Sequence, residues 1–105
     1  MRILSLDYGS KHIGLALSDE SFTIARELGI WLPANFWKEL ASLISQHEID
    51  KIIVGLPLGL AGQETQSTSN AKIFIEKLKR ETKENFIQVI LLSILGKNMK
   101  LRKSI

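Results

Sequence analysis

The chain has 105 residues, with 14 Lys plus Arg against 11 Asp plus Glu, a net charge of +3, two His, no Cys and 45% apolar residues. That length suits one domain with a hydrophobic core of its own; the absence of cysteine excludes disulfides and thiolate zinc sites, and two histidines far apart in sequence exclude a histidine cage, so any metal would be held by oxygen. No apolar run reaches the ~18 residues of a membrane span, and the chain opens on strand-like sequence rather than a signal peptide, which predicts a cytoplasmic protein.

Residues 2–7 (Arg-Ile-Leu-Ser-Leu-Asp) and 13–18 (Ile-Gly-Leu-Ala-Leu-Ser) are short apolar-rich runs separated by the turn-forming Tyr8-Gly9-Ser10-Lys11. They predict a hairpin with an acid at the end of its first strand. A third strand is expected within 22–30, where Phe22, Ile24 and Leu28 are interrupted by Arg26 and Glu27, and Pro33 then punctuates the chain. Asn35 can cap a helix running to about His47, because Phe36, Leu40, Leu43 and Ile44 recur at three- and four-residue spacing, with Trp37 beside them. Residues 51–56 (Lys-Ile-Ile-Val-Gly-Leu) form a continuous β-branched run, the pattern of a central strand in an α/β sheet. A Gly/Pro-rich loop over 55–62 leads to a helix over about 66–83 with Ala71, Phe74, Ile75 and Leu78 on one face. On its exposed side the spacing predicts the pairs Lys72/Glu76, Glu76/Arg80 and Lys77/Glu81. A last strand is expected over 87–92.

This order, β-β-β-α-β-α-β, predicts an α/β protein in which an antiparallel hairpin run joins a parallel part, giving a mixed sheet covered by helices. Residues 1–92 form the expected domain and 93–105 a basic tail. Residues 1–84 hold 10 basic and all 11 acidic residues, whereas Lys97, Lys100, Arg102 and Lys103 follow without an acid. Such a tail could contact phosphates, but a solvated terminus is the better-supported expectation.

Asp7 is the sharpest candidate for chemistry. An acid at the end of an apolar strand is costly to bury unless paired. It suits a Mg²⁺ or Mn²⁺ ligand, since hard divalent ions prefer carboxylate oxygen, and it equally suits a side-chain cap of the 8–11 turn. Gly9 would allow a ligand or a backbone to approach closely, and Lys11 could meet a phosphate. Trp31 and Trp37 suit packing of the helix start onto the sheet, and His12 and His47 suit polar surface positions. The loop Gly55-Leu56-Pro57-Leu58-Gly59-Leu60-Ala61-Gly62 lacks the Gly-Lys-Ser/Thr ending of a phosphate-binding P-loop. An actin-like or sugar-kinase-like nucleotide binder would need a second lobe, for which 105 residues leave no room.

The segment Leu6-Asp7-Tyr8-Gly9-Ser10-Lys11-His12-Ile13-Gly14-Leu15-Ala16-Leu17-Ser18-Asp19 resembles the opening motif of the YqgF family of Holliday-junction-resolvase-like or pre-16S ribosomal RNA nucleases. Ile53-Val54-Gly55-Leu56-Pro57-Leu58 with Gly62 is similar to that family's central strand and loop. The resemblance implies an RNase H-like fold and a metal-dependent endonuclease of structured nucleic acid, branched DNA or precursor rRNA, using Mg²⁺ or Mn²⁺. It makes Asp7 the catalytic residue and metal ligand, with Gly9, Lys11, Gly55 and Pro57 lining the substrate groove. Asp19 also matches the motif, and its place at the end of the second strand suits a structural or turn role at least as well as metal binding. In the family an Asp-Glu-Arg type motif follows the last strand and a later helix supplies a further Asp. Here Leu91-Leu92-Ser93-Ile94-Leu95-Gly96 stands at that place, and no Asp or Glu follows Glu84. The expectation is therefore a divergent or truncated C-terminus without the final family helix, and an activity impaired by the missing carboxylates. The alternative is a non-catalytic nucleic-acid or ribosome-associated binding module. An uncovered sheet edge or helix face would favour a homodimer.

Overall fold

A computed structural model describes residues 2–19 and 25–93. The first two strands, β1 (Arg2–Tyr8) and β2 (Ile13–Asp19), pair antiparallel from Arg2↔Asp19 to Tyr8↔Ile13. Strict alternation sends Leu4 and Leu6 of β1 and Ile13, Leu15 and Leu17 of β2 into the core, and turns Ile3, Ser5, Asp7, Gly14, Ala16 and Ser18 to the other side. The hairpin closes on a backbone bond from the Gly9 N–H to the His12 carbonyl, 2.9 Å. A Cβ on Gly9 would stand 2.9 Å from that carbonyl oxygen, so the turn itself requires glycine. The third strand, β3 (Ala25–Trp31), pairs antiparallel with β2 and carries a register shift where Gly29 adopts φ +103°. It overlaps the expected span of 22–30 and runs one residue past it, to Trp31; residues 22–24 fall outside the described residues.

The first helix, α1, is Pro33–Gln46. It starts two residues before the expected Asn35 cap, because Pro33 itself opens the helix, its fixed φ and missing N–H suiting the first helical position, and the Leu32 carbonyl accepts the Phe36 N–H at 3.0 Å. Phe36, Leu40 and Leu43 are its buried stripe. His47 caps the C-terminus, and Glu48 turns the chain at φ 52° into β4 (Ile49–Leu58).

That strand is longer than the expected 51–56, and Gly55, Pro57 and Leu58 lie on it rather than in a loop. Its parallel ladder with β1 ends at Leu6↔Val54, while its ladder with β5 (Ile87–Ser93) continues to Leu58↔Ser93. With a neighbour on one side only, the strand tolerates a residue lacking an N–H at position 57. Between them α2 (Gln66–Glu81) forms the crossover, followed by a single 3-10 turn at Glu84–Phe86. Thr65 and Thr68 make a reciprocal capping box, and Thr68, Ala71, Phe74, Ile75 and Leu78 are buried. The expected pairs along α2 are not those that form: Lys72 reaches back to Glu64 at 2.6 Å, Glu76 pairs with Lys79 at 3.5 Å, and the Lys77 ammonium sits 4.4 Å above the Trp37 ring. A preceding-loop acid and an aromatic face compete successfully for these flexible cations.

The sheet order is β3-β2-β1-β4-β5. Leu4, Leu6, Ile52, Val54 and Leu56 join the buried faces of both helices in one core, so α1 and α2 lie on the same side of the sheet. On the opposite side Ile3 and Ile53 form a separate small cluster with Ile90 packed against it. The mixed α/β sheet is the one expected from the element order and matches the RNase H-like arrangement that the resemblance implies, and the expected basic tail residues Lys97, Lys100, Arg102 and Lys103 lie outside the described residues.

Candidate active site

Asp7 occupies the carboxyl end of β1 on the side of the sheet that carries neither helix. Its neighbour Leu6 is fully buried in the helix-side core, whereas Asp7 is exposed. Among the described residues no hydrogen bond or ion pair reaches its carboxylate. The turn-cap role is thus not the one it plays, because the 9–12 turn is closed by backbone alone.

What holds Asp7 in place is the other face of the same strand end. Tyr8, half-buried on the helix side, stacks on Phe74 of α2 with ring centroids 4.5 Å apart and an interplanar angle of 20°. Phe74 in turn meets Phe36 at 5.7 Å and Trp37 at 5.3 Å. Trp37 therefore packs α1 to the core as expected, and Trp31 is fixed by its indole N–H donating to the Leu28 carbonyl at 3.0 Å. Aromatic stacking of this kind adds to the area buried and fixes ring orientation.

The adjoining end of β4 is anchored differently. Thr68, wholly buried, donates its hydroxyl proton to the Pro57 carbonyl and accepts the Thr65 N–H at 2.9 Å. The start of α2 is thereby tied to the strand end beside Asp7. Past Pro57 the chain turns through Gly59, whose N–H donates to the Gln63 carbonyl at 2.8 Å.

Of the expected site residues, Asp7, Gly55 and Pro57 share the helix-free side of the sheet by alternation, since Leu6, Val54 and Leu56 belong to the core. Gly55 is buried, and Pro57 is half-buried. Gly9 is explained by the turn, and Lys11 is exposed at its tip. Asp19 lies at the far end of β2, opposite Arg2, away from Asp7. His47 sits at the end of α1, and His12 is exposed in the turn.

The structure adds residues that the motif did not single out. A groove of about 280 Å³ opens beside Asp7 and is lined by Ser5, Gly14, Ala16, Glu27, Gly29 and Ile30. Its trace in the sequence is the alternation of large and small residues along Ile13-Gly14-Leu15-Ala16-Leu17-Ser18, which leaves one side of β2 nearly flat.

Among the described residues, no group of three or more His, Asp or Glu is placed to hold a metal ion. As a lone exposed carboxylate, Asp7 could supply a single ligand to a hard cation that keeps most of its waters. No helix among the described residues is long and apolar enough to cross a membrane.

The family model described as RuvX, Holliday junction resolvase, matches residues 1–92. A protein of Koribacter versatilis named "Putative pre-16S rRNA nuclease" is 45% identical over 83 residues, covering 76% of this chain and 54% of its own length. Proteins of the same name from Dictyoglomus turgidum and Sulfurihydrogenibium sp. are 35% and 38% identical, covering 75% and 85% of this chain and 58% and 61% of their own lengths. The chain thus spans a little over half the length of these curated relatives. Among solved structures, Archaeoglobus fulgidus Pelota superposes with a TM-score of 0.55 at 14% identity, over 98% of this chain and 32% of that one, a likeness of fold alone. With the family model covering all five strands but for Ser93, and both helices, the chain belongs to the RuvX family, the one that its opening motif resembles under the name YqgF.

Proposed function

We propose that this chain carries the first carboxylate of a metal-dependent endonuclease that cuts structured nucleic acid, precursor 16S rRNA or branched DNA, in the cytoplasm. The observation that carries the reading is Asp7: an exposed carboxylate without a protein partner among the described residues, at the end of a central strand of the family's fold, on the side free of helices. Asp7 is the residue that would hold Mg²⁺ or Mn²⁺, which in nucleases activates a water and stabilises the leaving oxygen of the phosphodiester. The chain's own contribution is to present that carboxylate rigidly, through the Tyr8–Phe74 stack behind it and the Thr68–Pro57 tie beside it. The family resemblance also offers Gly9, Lys11, Gly55 and Pro57 for contact with the phosphate backbone; none of them lines the groove beside Asp7, and of the four Lys11, exposed at the turn tip, is the one with a charge to meet a phosphate.

The test is cleavage of a structured precursor RNA and of a four-way DNA junction in Mg²⁺ and in Mn²⁺, by the parent chain and by Asp7→Asn. Cleavage by the parent that Asp7→Asn abolishes supports the reading. Because Asp7 is exposed and makes no protein contact, the variant is expected to fold with a stability within about 0.5 kcal/mol of the parent. Salt-sensitive binding by both proteins without cleavage would instead establish a non-catalytic binding module, the reading favoured by the lack of a three-carboxylate cluster among the described residues.

A further inference from the structure

The groove beside Asp7 has a cross-section set by three residues in register. Asp7 of β1 faces Gly14 of β2, and Gly14 faces Ile30 of β3, all on the helix-free side. Two strand spacings separate the outer pair, about 9.5 Å between backbones, with no side chain between them. The next row repeats the arrangement: Ser5 faces Ala16, which faces Glu27. The result is a trough along β2, two rows long, of about 280 Å³.

The fold does not account for glycine at position 14. Gly14 is not among the residues with positive φ, which are Glu48, Gly29 and Gly62. A Cβ built there would lie 3.6 Å from the Asp7 Cβ and 3.9 Å from the Asp7 carbonyl, ordinary contact distances. Glycine inside a strand weakens it and marks a bulge or the close approach of a ligand or backbone; the register shift of this ladder lies past Leu15, with its positive-φ glycine at Gly29 on β3, so close approach is the use left for Gly14. The far wall is also unusual, since Ile30 is 75% exposed on an edge strand. An aliphatic side chain in that position offers an apolar surface to a planar ring.

We infer that this trough receives one unpaired nucleotide, its base lying over Gly14 against Ile30 and its phosphate toward the cation that Asp7 would hold, and that Gly14 is a specificity-determining residue for strands with an unpaired nucleotide. The inference rests on the reading of Asp7 as the point of nucleic-acid contact. The dimensions favour a single nucleotide: the gap admits one ring between the two walls, and the two rows of the trough match a base and its sugar. A base pair in a continuous duplex would be too wide for it.

The test uses fluorescence anisotropy with a labelled RNA hairpin carrying a short single-stranded overhang, and with the same hairpin blunt-ended. The proteins are the parent, Gly14→Leu and Gly14→Ser, each checked by circular dichroism and thermal midpoint. The parent is expected to prefer the overhang, and Gly14→Leu to lose about tenfold in affinity for it, the scale of one lost base contact, while its affinity for the blunt hairpin stays unchanged. Gly14→Ser, which fills less of the trough, is expected to lose less, and it keeps the comparison informative should the leucine variant fold poorly. Equal parent affinity for the two hairpins, or an undiminished overhang preference in a folded Gly14 variant, overturns the inference and leaves the proposed function standing. Absence of any nucleic-acid binding by the parent overturns both.

Discussion

Thr68 is the residue on which the geometry beside Asp7 turns most directly. Its side chain is fully buried, which for a hydroxyl is tolerable only when its hydrogen bonds are made. Here they are: the hydroxyl donates to the Pro57 carbonyl and accepts from the Thr65 N–H, so one atom serves the end of β4 and the first turn of α2 together. Thr68→Val keeps the shape and removes both bonds, leaving a carbonyl and an N–H without this partner. A loss of about 1–3 kcal/mol is expected. Thr68→Ser keeps the hydroxyl and loses one methyl, for about 0.8 kcal/mol. Urea denaturation distinguishes the two, and a Val variant as stable as the Ser variant would refute the idea that the hydroxyl, rather than the methyl, secures the loop. The sequence displayed Thr65 and Thr68 only as part of a polar helix start. A capping box is readable from their spacing, but the contact to Pro57 spans eleven residues and is not.

At the scale of elements, α2 is held to the sheet by a ring cluster centred on Phe74, which touches Tyr8, Phe36 and Trp37. Phe74→Ala removes all three contacts from a site that is 4% exposed, and a cost of about 3–5 kcal/mol is expected. Because Trp37 lies against this ring, the same variant should shift tryptophan emission to the red before global unfolding. A stability change below 1 kcal/mol would mean that α2 is anchored elsewhere. The helix face itself was plain in the sequence, since Ala71, Phe74, Ile75 and Leu78 follow helical periodicity and all four are buried. The start of α1 was less plain. Pro33 reads equally as a break and as a first helical residue, and the choice depends on whether the preceding carbonyl finds a donor, as that of Leu32 does. Exposed ion pairs were legible least, because long side chains choose among several partners at little cost.

For the whole molecule, the decisive fact is that both helices pack on one side, which leaves Asp7 on the other. Element order narrows the fold, and the alternation Ile3-Leu4-Ser5-Leu6-Asp7 already separates Asp7 from the core leucines. Which strands are central is a matter of pairing between distant segments: β1 and β4 are joined across two strands and a helix, so their adjacency appears in the topology and not in any local pattern. This pairing has a consequence for how stability is distributed. β1 and β4 have neighbours on both sides, and their Leu4, Leu6, Ile52 and Val54 side chains are fully buried, whereas β3 and β5 each pair with one strand among the described residues. Central ladders open only when the domain unfolds, while edge strands open locally at lower free energy. Native-state amide exchange should therefore show the slowest class in β1 and β4, and exchange through local opening in β3, whose ladder the register shift breaks between Glu27 and Gly29, next to Ile30. Protection in β3 equal to that in β1 would show that the trough wall at Ile30 is as rigid as the strand that carries Asp7. Faster exchange there would mean that the wall opens independently of the carboxylate, which lets a base enter without disturbing the residue it is to meet.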